Sequence, residues 1–441
     1  GEAADNISAC LRPKHQDTDM QPTYDQTDPT SPAGSIPHWI DPVRETDLVA
    51  RRRTVHRTPE TGWAEFIATA RAAEFFTSLG FKVMVGREFI DPIYVRGRSE
   101  AEVSESERLA KAAGVSPVLL QRMGGLTGLC ATFDTGHPGK TLAFRVELDA
   151  LKMNEPVDPD HIPYREGFAS ERPGLMHACG HDGHQAVAFE LGRFIVANRD
   201  RLTGRIRFIF QPGEEGSRGA YPIVQSGLLD DVDTLLCAHI ATDLQAGTVV
   251  AAPEKFLCTT KIDLHFEGVQ AHAGMQPQLG RNALLAAADA ALILMALPRH
   301  SDGMTRVNVG TLHAGEGRNV IAAHADMEVE VRGENEAINR ELAREAVDFV
   351  PDDGIVQMIT VCARRARHVR EVRPSVPLNG SDDATLMIRR VQSQGGRAGY
   401  FLVGAGLEAS HEHAAVDFDE RYLVTLYDIF ANLVIGLSGN W

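Results

Sequence analysis

The chain has 441 residues, enough for two ordinary domains and a substantial core. Its 43% hydrophobic and 24% charged content is that of a globular protein. A net charge of -16 argues against nucleic acid or an anionic membrane as partner, since both need a basic surface. Six cysteines stand far apart, without the spacing of a disulfide scaffold, so a reducing, cytoplasmic setting is expected, with no secretory leader ahead of the fold.

Residues 1–43 are rich in Pro, Asp, Thr and Ser, as in "DQTDPTSPAGSIP", and predict an extended arm. A helical pattern starts near Asp47, runs through "GWAEFIATARAAEFFTSLG" and stops at Gly80. "GLCATFDTG" and "TLAFRVELDAL" read as strands, one of them nearly all apolar and so buried on both faces. "DTGHPGKT", residues 134–141, ends like a phosphate-binding loop, but Asp134 stands where the first glycine is required. "GLMHACGHDGHQA", residues 174–186, packs His177, Cys179, His181, Asp182 and His184 together ahead of a helix, "QAVAFELGRFIVANRD". The strands "GRIRFIFQP" and "TLLCAHI" follow, and strand, helix, strand predicts a βαβ core with a largely parallel sheet.

The pattern changes near Ala252. "TKIDLHFEG", "RVNVGTLHAG" and "ADMEVEVRG" alternate, with an apolar helix from Ala283 that is too short, and too interrupted by Asp289, to span a bilayer. This predicts a smaller α+β domain inserted into the first. The expected division is an arm at 1–43, a catalytic metal-binding domain at 44–254 and 371–441, and an inserted lid domain at 255–370. The chain ends in the helix "YLVTLYDIFANLVIGL".

Glu214 and Glu215 sit where the strand "IRFIF" gives way to "QPGEEG", the strand end at which open α/β sheets place their sites. Neighbours on an extended segment point in opposite directions, so one carboxylate can bind a metal while the other faces a reacting water. Alone, such a pair is more often a solvated acidic turn, a lone His239 more often a core histidine, and "ASHEHAAVDFDE" a polar turn. Together, Cys179, His181, Glu215, His239 and one residue of the group His411, Glu412 and His413 supply thiolate, imidazole and carboxylate. Those ligand types suit zinc, manganese or a related ion. Five ligands exceed one tetrahedral site with an open position, which points to two ions clamping a water. A thiol nucleophile at Cys179 would leave Glu214, Glu215 and His239 without roles.

These stretches, with "TPETGWAEF", "TGHPGKTLAFRVELDAL", "YREGFAS", "FIFQPGEEGSRGA", "AHAG", "RVNVGTLHAGEGRNV" and "GSDDATLM", make the chain from about Asp47 onward similar to the M20 metallopeptidase and amidohydrolase family. The resemblance is to its "HACGHDxH" branch, which includes indole-acetyl-amino-acid hydrolases, hippurate hydrolases and, nearest, the A-type subunits of aminobenzoyl-glutamate hydrolase. It implies a zinc-peptidase-like catalytic domain holding two divalent ions, manganese or zinc, and an inserted lid that dimerises. Carried over by position, Cys179, His181, Glu215, His239 and His411 are ligands and Glu214 is the general base. His272 of "AHAG" polarises the scissile carbonyl or binds substrate, often across the dimer. Asn319 and Arg332 contact the substrate's carboxylate end, and His413 stands second to His411 as ligand and otherwise lines the substrate.

Three departures stand out. Glu147 replaces an Asp of the family's "RxDxDAL". In the late motif Val416 replaces an aromatic residue and Glu412 holds the histidine's place. The segment between Arg332 and Ser381 is short, so a helix and a strand are expected to be reduced or missing there. The expected function is hydrolysis of an aromatic acyl–amino acid amide such as aminobenzoyl-glutamate, by a metal-activated water whose proton goes to Glu214. Expected partners are a small aromatic substrate and a second copy of the chain or a homologous subunit, with neither nucleic acid nor membrane. Two other readings remain open: an aminohydrolase converting an activated aryl amine to a phenol and ammonia, and a metal-free binding subunit.

Overall fold

The computed structural model describes residues 44–297, 300–301, 303–335, 338–339, 352–378, 380–407 and 417–439. The N-terminal arm, His411 and His413 lie outside the described residues. In chain order the helices are α1 (Glu45–His56), α2 (Phe66–Ser78), α3 (Glu100–Ala112), α4 (Pro117–Met123), α5 (Ile162–Arg165), α6 (His181–Ala197), α7 (Ala220–Gln225), α8 (Ala283–Met295), α9 (Asp353–Arg365), α10 (Ala384–Ser393) and α11 (Tyr422–Ser438). The strands are β1 (Lys82–Val85), β2 (Leu129–Asp134), β3 (Thr141–Glu147), β4 (Arg205–Gln211), β5 (Thr234–Gln245), β6 (Thr248–Val250), β7 (Cys258–Glu267), β8 (Ala271–His272), β9 (Thr305–Ala314), β10 (Val320–Ile321), β11 (His324–Gly333), β12 (Glu371–Arg373) and β13 (Arg397–Gly406).

Eight strands form one mixed α/β sheet in the order β1-β2-β4-β3-β5-β13-β6-β12. Its centre, β4-β3-β5-β13, is parallel, while β1-β2 and β2-β4 are antiparallel. Every residue of β3 is buried. Leu142, Phe144 and Val146 face the core built with α1, α2, α6, α9 and α11, and Ala143 faces the core built with α7 and α10. A strand covered on both faces needs no polar side, which is why it reads as an apolar run.

The helical pattern expected from Asp47 to Gly80 is two helices, α1 and α2. Pro59 lacks an N–H and disfavours helical backbone at the residue before it. The break has a use. The Glu60 carboxylate accepts from the N–H groups of Ile67 and Ala68 at 3.1 and 2.8 Å, capping the exposed donors at the start of α2. Trp63, at φ 70°, is fully buried and donates its indole N–H to the Arg96 carbonyl at 2.8 Å.

Between Cys258 and Gly333 the chain leaves this sheet. β7, β11 and β9 form a separate antiparallel sheet, and β8 pairs with β10. One face of the three-stranded sheet packs Ala325, Met327, Val329 and Val331 on Ala283 and Ala287 of α8. The alternation leaves the polar residues on the other face. Among the described residues after Arg332, α9 and β12 belong to the large sheet, and the lid sheet has three strands. β12 pairs with β6, and Ile355, Ile359, Cys362 and Ala363 of α9 are buried in the main core. Sequence placed Asp353–Arg365 in the insert; its apolar face, buried against α11 and β13, puts it with the catalytic sheet instead.

α1 is tied to α6 by buried charge. Arg52 bonds Asp182 at 2.9 Å and Asp417 at 2.6 Å, and His56 bonds Asp182 at 2.7 Å and Glu155 at 3.0 Å. Burial opposes a charge on His56, but its two carboxylate partners outweigh it and raise its pKa to about 9. A raised folded pKa stabilises fully below the unfolded value of about 6.5 and is lost as pH climbs through 9. Denaturant melts of wild type and His56→Gln should therefore show a stability gap that is larger at pH 6 than at pH 10 by about 3 kcal/mol. A gap that does not change with pH would show that His56 is not charged in the folded chain.

Candidate metal centre

The "HACGHDGH" stretch bends at Gly180, whose φ of 87° favours glycine, and α6 begins at once with His181, four residues before the expected start. Cys179, His181 and Glu215 bring their ligand atoms within 4.8 Å of one another, and so do Glu147, His181, His184 and His239. Cys179 Sγ lies 3.5 Å from His239 Nε2, which joins the two groups. Cys179, His181, Glu215 and His239, drawn from three separate sequence motifs, thus converge. His411 lies outside the described residues.

Hydrogen bonds decide which imidazoles have a nitrogen to give. His181 Nδ1 donates to the Asp149 carbonyl at 2.8 Å, so in the neutral ring, the form that binds a metal, Nε2 keeps its lone pair. That Nε2 is buried with no hydrogen-bond partner, as is Oε1 of Glu215. His239 Nδ1 donates to the Ile240 carbonyl at 2.7 Å, leaving its Nε2 lone pair beside Cys179. Burial lowers the His239 pKa to about 3, so its imidazole is neutral, the ligating form. His184 is different. Its Nε2 accepts from the Ile240 N–H at 2.9 Å and its Nδ1 donates to Glu147 at 2.9 Å, so it has no free lone pair and acts by positioning Glu147.

Two orphaned donor atoms in a buried cluster of thiol, imidazole and carboxylate fit a transition-metal ion. A thiol nucleophile at Cys179 would leave the bare nitrogen of His181 and the bare oxygen of Glu215 beside it without a role.

Glu214, beside Glu215, points elsewhere. One oxygen is 3.7 Å from His181 Nε2, and the carboxylate groups with those of Asp382 and Asp383. Burial and the Asp382 charge hold its pKa well above the ordinary carboxylate range. Arg145 anchors this region, bonding Glu147, Asp382 at 2.9 Å and Asp383 at 3.2 Å. Tyr400 donates to Asp382 at 2.7 Å. Asp149 holds two ligands in place at once, through its carbonyl on His181 and through its carboxylate, which accepts from the Glu215 N–H at 2.8 Å. Sequence reasoning noted Glu147 only as a departure and missed Arg145, Asp149 and Asp382. The signal was period-two alternation, which puts residues 145, 147 and 149 on one side of β3 and its extension.

The lid residues lie apart from these donors. His272 is exposed on β8, and its Nδ1 accepts from the N–H groups of Gly274 and Met275 at 3.2 and 3.1 Å. The Asn319 carbonyl accepts from the Ala273 N–H at 3.0 Å, so both residues share the β8–β10 ribbon. Arg332 lies on the polar face of β11 and donates through Nε to Glu330 at 2.6 Å. No helix among the described residues is long and apolar enough to cross a membrane.

The profile of peptidase family M20/M25/M40 matches residues 143–435. The chain is 44% identical over 411 residues to a p-aminobenzoyl-glutamate hydrolase subunit homolog of Haemophilus influenzae, covering 88% of this chain and 97% of that protein. It is 44% identical over 412 residues to the indole-3-acetyl-aspartic acid hydrolase of Enterobacter agglomerans, covering 87% and 94%. Its fold matches an aminobenzoyl-glutamate utilization protein from Klebsiella pneumoniae with a TM-score of 0.72 at 35% identity, over 89% of this chain and 95% of that one. With its signature motifs meeting in one buried donor cluster on a fold shared across nearly its whole length, the chain belongs to the M20/M25/M40 peptidase family and is a hydrolase.

Proposed function

We propose that the chain is a metal-dependent amidohydrolase that cleaves an aromatic acyl–amino acid amide into the aryl acid and the amino acid. The reading is carried by the convergence of Cys179, His181, Glu215 and His239, with bare acceptors on His181 and Glu215, beside the buried carboxylate of Glu214. The two relatives named for p-aminobenzoyl-glutamate and indole-3-acetyl-aspartic acid support the substrate class.

Cys179, His181, Glu215, His239 and His411 would hold two divalent ions, zinc or manganese, which when bound polarise the scissile carbonyl and acidify water. Glu214 accepts the proton of the attacking water and returns it to the leaving nitrogen. Its raised pKa is the direction a general base needs near neutral pH. His272 has its Nδ1 occupied as an acceptor, so in the neutral ring Nε2 carries the proton. That is the tautomer that donates to a carbonyl oxygen gaining charge, from the lid of the same chain or of a partner. Asn319 and Arg332 receive the carboxylate end, and His413 lines the same space. Cys130, Cys179, Cys237 and Cys362, unbridged among the described residues, support a cytoplasmic setting. Leu285, Leu292 and Ile293 on α8, 59–71% exposed, support a second copy or homologous chain docking on the lid.

Glu214→Gln should keep its metal and lose about 10²–10⁴-fold in kcat. Near-normal turnover would remove Glu214 as the base. Chelation of the wild-type protein should abolish hydrolysis of 4-aminobenzoyl-glutamate, and zinc or manganese should restore it with one glutamate released per turnover. Release of ammonia instead would point to aryl-amine hydrolysis, and a protein purified without chelator and found free of metal would point to a binding subunit. His272→Ala should keep metal content while kcat/KM falls about 10²–10³-fold, the worth of one oxyanion donor. An unchanged kcat/KM would leave His272 as a surface histidine bonded to its own backbone.

A further inference from the structure

The two edges of the lid sheet are not alike. β9 forms one. Its register with β11 shifts between Glu328 and Val329, leaving Gly310 unmatched, and its polar face, Arg306, Asn308, Thr311 and His313, carries no carboxylate. Such a bulge bends an edge strand, one of the ways in which sheets discourage pairing with another chain. β7 forms the other edge and keeps its ten residues in unbroken register with β11, from Cys258 opposite Gly333 to Glu267 opposite His324. Near its start Thr260 accepts from Asn339 at 3.0 Å, and past its end Val269 exchanges two backbone bonds with Arg281 at 2.9 Å. Between these points, from Lys261 to Glu267, no strand among the described residues pairs with the outer side of β7.

Both faces of this edge are unfinished. On the apolar face Ala325, Met327 and Val329 of β11 are only 1–3% exposed, whereas Phe266, Leu264 and Ile262, directly opposite them, are partly exposed. α8 packs chiefly on β9 and β11, so the apolar layer runs out at β7. On the polar face Lys261, Asp263, His265 and Glu267 read basic, acidic, basic, acidic. β11 answers some of these charges. Lys261 bonds Glu330 at 3.1 Å and His265 bonds Asp326 at 2.5 Å, but Asp263 faces another carboxylate, Glu328, so β11 offers it no directly opposed cation. Turned end for end about Leu264, the strand sets each of its basic residues against an acidic one.

We propose that β7 pairs antiparallel with β7 of a second copy of this chain, about a two-fold axis through Leu264, joining the two lids into one six-stranded sheet. This surface differs in chemistry from the exposed leucines of α8, since backbone N–H and C=O groups along the edge exchange water for each other. The charges select the register. With Leu264 opposite itself, Lys261 stands against the partner's Glu267 and Asp263 against the partner's His265, and symmetry makes each pair twice. Asp263 thereby gains the cation that β11 does not supply. On the other face Ile262 meets the partner's Phe266 and Leu264 meets the partner's Leu264, which continues the apolar layer across the junction. Shifting the axis to Asp263 sets that carboxylate against itself, and shifting it to His265 sets Asp263 against the partner's Glu267, so both alternatives oppose like charges.

The test reads register as well as association, on the full chain. In sedimentation, wild type should run as more than one chain in the micromolar range. Leu264→Cys should form a disulfide-linked dimer under mild oxidation, beyond the wild-type background, because opposed Cα atoms about 5 Å apart lie within disulfide reach. Ile262→Cys and Phe266→Cys should not cross-link singly, since each position faces the other rather than itself, but an equal mixture of the two proteins should. Lys261→Glu should weaken association about tenfold by setting two carboxylates together in both symmetry-related pairs. Adding Glu267→Lys to it should restore much of the association, because the reversed charges match again, a recovery that a misfolded lid would not show. Wild type that sediments as a single chain throughout the micromolar range overturns the proposal. So does association that survives Lys261→Glu unchanged with no cross-link at position 264, which belongs to another surface such as α8.

Discussion

Six carboxylates, Glu147, Asp149, Glu214, Glu215, Asp382 and Asp383, crowd the carboxyl end of β3 and β4 with one fully buried guanidinium, Arg145, among them. Taking that many anions out of water costs several kcal/mol each unless they are paired and hydrogen-bonded. The protein pairs them unevenly. Asp383 is satisfied by Arg145, Gln211 and the N–H groups of Gly219 and Ala220, and Asp382 by Arg145, Tyr400 and the Ala384 N–H. Glu147 has Arg145 and His184. The deficit is concentrated on Glu215 and Asp149, each with a buried oxygen lacking a partner, next to the bare nitrogen of His181. Uncompensated negative charge and unused lone pairs therefore coincide in space, which is what a cation site requires.

The imidazoles are sorted by backbone rather than by side-chain chemistry. The peptide groups flanking one position of β5 do most of it: the Ile240 carbonyl fixes His239 with its Nε2 outward, and the Ile240 N–H consumes the Nε2 of His184. One strand residue thus separates a ligand from a supporting histidine. Because β5 sits between β3 and β13 in the middle of the sheet, this arbitration is as rigid as the core. It also explains why Asp149 matters without touching a metal, since its carbonyl and its carboxylate orient His181 and Glu215 in the same way.

Much of this was legible from sequence, for identifiable reasons. Cys179, His181, Glu215 and His239 could be singled out because their residue types are rare in combination and sit at strand and helix ends. The parallel sheet was legible because β3 carries apolar residues on both faces, Leu142, Phe144 and Val146 on one and Ala143 on the other. What escaped depended on contacts distant in the chain. The Arg145–Asp382 pair spans 237 residues, and each partner alone reads as an ordinary charge. The break between α1 and α2 escaped because helical periodicity continues across Pro59, and only Glu60 reaching forward to cap α2 shows that the turn is intended. α9 fell on the insert's side of the expected boundary at 370 because what buries its apolar face, β13 and α11, comes later in the chain.

The lid joins packing and chemistry through a single register. Along β11, Val329 and Val331 point to α8 while Glu330 and Arg332 point away from it. A slip of one residue would put the charged pair under an apolar helix and turn the valines toward solvent, so the hydrophobic layer specifies the register strongly. The polar face adds its own constraint, because Glu330 bonds Lys261 directly across the strand pair. β7 starts at Cys258, immediately after Phe256 and Leu257 enter the main core, so the cation-bearing rows lie at the end of the sheet nearest that core. The alternation that packs α8 thus fixes which charges share the opposite face of the lid sheet, Lys261 directly across from Glu330.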